Sequence, residues 1–120
     1  MSAKNKQCAV TTVVSEKEKS LFLAMASELS VPHNVIMRRL IRYFLEEMVS
    51  WTDLFRQYNE LPLADEPDKT KKRRMRCTLE PEQYFAFALR VEEWGSTTAV
   101  VMRRLMLLYV AGKIERRDIL

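Results

Sequence analysis

Apolar and polar residues alternate strictly over Arg74-Met75-Arg76-Cys77-Thr78-Leu79, with Met75, Cys77 and Leu79 on one face and Arg74, Arg76 and Thr78 on the other. That period predicts a half-buried strand. Pro81-Glu82 follows, a helix start, because proline's fixed φ suits the first helical position and its missing N–H is not needed there. Phe87, Val91 and Trp94 then recur at i, i+4 and i+7, the buried stripe of an amphipathic helix that stops at Gly95. A second helix begins at Thr97 and carries Met102, Leu105, Met106 and Tyr109 inward. The segment therefore reads strand, helix, helix.

The same pattern stands 65 residues upstream, where Val35-Ile36-Met37-Arg38-Arg39-Leu40-Ile41 matches Val100-Val101-Met102-Arg103-Arg104-Leu105-Met106. At that offset Val14 falls on Leu79, Phe22 on Phe87, Glu28 on Glu93, Leu29 on Trp94 and Phe44 on Tyr109. The upstream strand, Ala9 to Val14, is β-branched rather than alternating, and the repeat register turns Val10, Thr12 and Val14 inward and Ala9, Thr11 and Val13 outward. Ser15 with Glu18 three residues on is a capping box. Phe22, Ala26 and Leu29 form the stripe of a first helix that stops at Ser30. A second helix beside Pro32 carries Met37, Leu40, Ile41 and Phe44.

Apolar positions continue through Met48, Trp51, Leu54, Phe55 and Tyr58, so the second helix is extended or followed by another, an addition expected to break the symmetry. Residues 59–71 mix prolines, acids and lysines without periodicity and read as a solvated linker. The expected organisation is a first unit over 7–58, a second over 72–113 and a tail over 114–120. A unit of this size lies near the limit for an independent core, so the two are expected to pair in one compact domain.

Composition agrees with this and narrows the chemistry. The chain has 120 residues, 48% hydrophobic and 30% charged, with Gly 2 and Pro 4, which favours long helices in a globular protein. Its net charge is +4, a bias toward polyanionic partners. Cys8, Cys77 and the lone His33 have no metal-ligand spacing, so reduced thiols and no metal are expected. The apolar stretch near the N-terminus is too short for a secretory leader, and the run from Leu105 to Ala111 is far short of a membrane span. A cytoplasmic protein that engages no membrane is expected. There is no phosphate-cradling glycine loop and no paired-carboxylate or nucleophile-base constellation, so we expect no enzyme, no cofactor and no small-molecule substrate.

The strand over Arg74 to Leu79, the Pro81-Glu82 start, and Gly95-Ser96-Thr97 followed by Met102-Arg103 resemble the ribbon-helix-helix family. In repressors of the Arc and MetJ type, two chains each donate one strand to an antiparallel ribbon that enters the DNA major groove. The resemblance implies a mainly α fold with a two-stranded antiparallel β-ribbon. Here one chain would supply both strands as an intramolecular pseudo-dimer. It implies sequence-specific binding of double-stranded DNA, a role as transcriptional repressor, and self-association along DNA. Tandem units in one chain are also similar to a class of conjugative-plasmid relaxosome accessory proteins. The first unit departs from the pattern, with Ser30-Val31-Pro32 in place of Gly95-Ser96-Thr97 and no basic residue on its outward strand face.

On this reading Thr11, Val13, Arg74, Arg76 and Thr78 contact bases, since arginine can pair two donors with guanine and threonine or valine can meet a thymine methyl. The helix starts at His33-Asn34 and Ser96-Thr97-Thr98 offer backbone N–H groups to phosphates. Lys71, Lys72 and Arg73 add positive charge beside the second strand. Arg38-Arg39 and Arg103-Arg104 recur in both units but flank core positions, which favours covering the stripe or pairing with Glu28 and Glu93. Two other readings stay open: a relaxosome or partition accessory using the same DNA contacts, and an antitoxin-like helical module that binds protein through Trp51, Phe55 and Tyr58.

Overall fold

The computed structural model describes residues 8–60 and 72–119, without the side chains of 56–60. The elements run β1 (Cys8–Ser15), α1 (Glu16–Glu28), α2 (His33–Leu45), α3 (Trp51–Glu60), β2 (Lys72–Leu79), α4 (Pro81–Glu93), α5 (Thr98–Val110) and α6 (Arg116–Ile119). The protein is mainly helical, and its two strands form one antiparallel sheet. Residues 7, 61–71 and 120, expected in the first unit, the linker and the tail, lie outside the described residues. Among the described residues no helix is long and apolar enough to cross a membrane.

The strand register pairs Thr11 with Arg76, Thr12 with Met75 and Val10 with Cys77. Residues directly opposite in an antiparallel pair share a face, so Val10, Thr12, Val14, Met75, Cys77 and Leu79 make one inner surface, and all six are buried. The alternation in β2 and the β-branched run in β1 thus converge on one core. Against that surface α5 packs on β1, α2 packs on β2, and α2 and α5 pack on each other. Each helix therefore covers the strand of the other half of the chain.

Contacts recur at the 65-residue offset. Phe22 meets Tyr109 edge to face at 6.1 Å, and Phe44 meets Phe87 edge to face at 5.6 Å. Thr12 Oγ1 donates to the Ala99 carbonyl at 2.6 Å, and Cys77 Sγ approaches the Asn34 carbonyl at 3.7 Å. Both first helices are followed by a left-handed residue, Ser30 with φ 57° and Gly95 with φ 73°. The second helices do the same at Glu47 and Gly112, with φ 60° and 81°. Only there does glycine's freedom matter, and the first half holds ordinary side chains in the same conformation.

The apolar stretch past α2 forms a further helix, the ten-residue α3, and the C-terminal residues form the four-residue α6 at the same offset. Buried Leu54 of α3 and buried Ile119 of α6 stand 65 residues apart, and the helices start at Trp51 and Arg116, also 65 apart. The helix α3 packs on α5 and α6 packs on α2, where Arg42 Nη2 donates to the Ile119 carbonyl at 3.2 Å. Residues 59 and 60, expected in the linker, belong to α3.

At the head of α1 the predicted capping box is present: Glu18 N–H donates to Ser15 Oγ at 3.1 Å and Ser15 N–H to Glu18 Oε1 at 2.9 Å. Glu18 is only 2% exposed, and its charge is balanced by Arg103 of α5, whose Nη2 lies 2.6 Å from Oε2 and whose Nε lies 3.2 Å from Oε1. Arg103 thus pairs with Glu18, a partner not expected from the sequence. A carboxylate this deep is tolerable only while each oxygen is satisfied. Arg103→Ala is expected to lower the unfolding free energy by about 3 kcal/mol, the lower end for breaking a buried pair, in a urea titration. A loss below about 1 kcal/mol, the size of an exposed pair, would refute this role.

Candidate nucleic-acid interface

The outer ribbon face is fixed by the same register that builds the core. Facing pairs along it are Ser15 with Lys72, Val13 with Arg74, Thr11 with Arg76, and Ala9 with Thr78. Of the five residues expected to contact bases, Thr11, Val13, Arg74 and Arg76 are exposed and Thr78 is half-buried, so the fold gathers all five on one surface. Valine normally seeks the interior, yet Val13 is 42% exposed. No acidic residue occupies any of these eight positions. Outward neighbours along one strand lie about 6.6 Å apart, so Arg74 and Arg76 concentrate positive charge in a small area.

The basic run at the start of β2 divides. Lys72 shares the outer face with Arg74 and Arg76, whereas Arg73 falls in the inner register opposite Val14. Its guanidinium turns to Glu16, with Nη2 2.6 Å and Nε 3.2 Å from Oε1. Arg73 therefore closes the end of the ribbon onto α1 instead of extending the outer row. Lys71 lies outside the described residues.

The two helix starts also differ. At α5 the Thr97 hydroxyl accepts from Val100 N–H at 3.2 Å, so this side chain acts as the helix cap. At α2, Pro32 occupies the cap position and supplies no side-chain hydrogen bond, which leaves the first turn uncapped beside half-buried His33 and Asn34. An uncapped first turn presents N–H groups and the positive end of the helix dipole. Ser96 and Thr98 are half-buried and Thr97 is exposed. The hydrogen bonds from Thr12 and Cys77 end at carbonyls in the first turns of α5 and α2, and so tie both helix starts to the ribbon.

The remaining candidates serve the core. Arg104 stacks over Phe55, 4.3 Å from the ring centre, and Leu54 is fully buried. Of the aromatic surface expected at α3, Trp51 stays 52% exposed, Phe55 is half-buried, and the Tyr58 side chain lies outside the described residues. Sequence reasoning overlooked a different apolar pair, Phe85 and Leu89 of α4, 64% and 58% exposed. Their i, i+4 spacing was legible, but so was the stronger stripe through Phe87 and Val91. Among the described residues no group of three or more His, Cys, Asp and Glu side chains is placed to hold a metal ion.

Comparison of the chain with protein-family models, with curated proteins and with solved structures finds no match.

Burial drives the Cys77 thiol up to about 11, against a smaller opposing effect of Arg38. The folded thiol stays protonated where an unfolded one ionises, so the unfolded state holds fewer protons and stability falls as pH rises from about 9 toward 11. Cys77→Thr, which installs the residue found at position 12, is expected to remove that part of the alkaline decline when melting is followed from pH 8 to 10.5. An unchanged decline would count against the thiol as its source.

Proposed function

We propose that the chain is a tandem ribbon-helix-helix protein that reads double-stranded DNA through its β-ribbon and acts as a transcriptional repressor. Arg74 and Arg76, exposed beside Thr11 on an outer face free of acidic positions, are the observation that carries this reading. A two-stranded ribbon fits a groove about 12 Å wide, and these side-chain types match the donors, acceptors and methyl groups displayed there. The uncapped start of α2 and the Thr97-capped start of α5 then serve as phosphate anchors that set the ribbon's depth without reading sequence.

The intramolecular pseudo-dimer is part of the proposal. Its support is that Thr11 and Arg76, equivalent by the repeat, face each other, as a twofold axis through the ribbon requires. The paired aromatic contacts and the paired strand-to-helix hydrogen bonds obey the same relation. Reduced Cys8 and Cys77 fit a cytoplasmic setting. The exposed pair Phe85 and Leu89 favours one second reading, a relaxosome or partition accessory that makes the same DNA contacts while holding another protein.

Selection of bound duplexes from a random pool at near-physiological salt tests the reading. The wild-type chain is expected to enrich a short motif that Arg74→Ala/Arg76→Ala loses or relaxes, while circular dichroism shows the variant folded. No enrichment by the wild type would refute sequence-specific binding.

A further inference from the structure

The two strands of the ribbon are matched on the inside and unequal on the outside. At repeat-equivalent outward positions β1 presents Ala9, Thr11 and Val13 where β2 presents Arg74, Arg76 and Thr78. The register arranges this difference along the ribbon axis. One end carries Val13 with Arg74 and Ser15 with Lys72; the middle carries Thr11 with Arg76; the far end carries only Ala9 with Thr78. Beyond the far end the chain turns into Glu80 and Glu82, both exposed, whereas of the acids beyond the basic end Glu16 is paired with Arg73 at the surface and Glu18 is buried against Arg103. Among the described residues the outer face is thus basic at one end and neutral to acidic at the other.

We infer that the chain binds duplex DNA in a single orientation, on a non-palindromic site with guanines beneath Arg74 and Arg76 and no guanine preference at the dyad-related positions beneath Ala9 and Thr11. This rests on the ribbon being the DNA-reading surface. Turning the chain by half a turn about the axis between Thr11 and Arg76 sets a methyl group and a hydroxyl where the two guanidinium groups had been. Each bidentate arginine contact distinguishes its base by roughly 5- to 150-fold, the equivalent of 1–3 kcal/mol. Two of them favour one orientation by at least about 25-fold. Ala9 and Val13 contribute contact with a thymine methyl, so the half-site under β1 is read by shape rather than by charge.

The test starts from the enriched motif. The wild-type chain is expected to select a non-palindromic site, and to bind a palindrome made by doubling the guanine-bearing half no more tightly than the selected site. Ala9→Arg/Thr11→Arg/Val13→Thr, which gives the three outward positions of β1 the residue types of Arg74, Arg76 and Thr78, is expected to select that palindrome and to bind it at least about 25-fold more tightly than the wild type does. Arg74→Ala, an exposed truncation, supplies a second measurement should the triple variant fail to fold: it should relax preference at one position of one half only. Enrichment of a palindrome by the wild type, or relaxation at two dyad-related positions in Arg74→Ala, would overturn the single orientation while leaving DNA binding intact. Failure to enrich any motif would remove the DNA reading, and this inference with it.

Discussion

Among the described residues β1 and β2 pair only with each other, so the facing rows of backbone N–H and C=O groups satisfy one another. The surface this pairing creates is the one on which α2 and α5 close. Val10, Thr12 and Val14 come from one strand and Met75, Cys77 and Leu79 from the other, and each central helix reaches across to the strand of the opposite half. Separated, each half would expose its share of this apolar surface to water, and a unit of this size has too little core to compensate. The same pairing also fixes which side chains face outward. Core and candidate interface are two sides of one register.

Within that arrangement the molecule is similar inside and different outside. Equivalent interior positions keep their character: Phe22 and Phe87, Phe44 and Tyr109, Leu54 and Ile119 are all buried. Close packing constrains such positions through volume and shape. Solvent-facing positions carry no such constraint, and there the halves part, with Arg74 against Ala9, Phe85 against Ser20 and Leu89 against Ala24. Glu18 is the exception in the interior. Its equivalent is Gln83, so the buried carboxylate belongs to the first half, and the Arg103 that balances it reaches across from the second.

Much of this was legible in the chain because period and repeat agree. The alternation over Arg74 to Leu79 gave the second strand its inner and outer faces, and the offset transferred those faces to a β1 sequence too uniformly β-branched to show them alone. The capping residues Ser15 and Thr97 and the stops at Ser30 and Gly95 were local signals of backbone geometry. What escaped was set by tertiary contact. Arg73 looks like its neighbours in sequence, and only the register shows that it leaves the outer row to pair with Glu16. The last helix escaped for a different reason: four residues carry no period, and buried Ile119 reveals its purpose only once α2 is in place beneath α6. Gly112 was the available hint, since the chain has only two glycines and the other also ends a helix.

Carrying both strands on one polypeptide changes how the ribbon responds to scarcity. Two separate chains must find each other, so the fraction assembled falls on dilution and the folded state becomes inseparable from protomer concentration. In a single chain the encounter is internal, at an effective concentration set by the connection rather than by the cell. A few molecules per cell therefore hold as complete a ribbon as a few thousand, and the assembled fraction of β1 with β2 is independent of gene dosage.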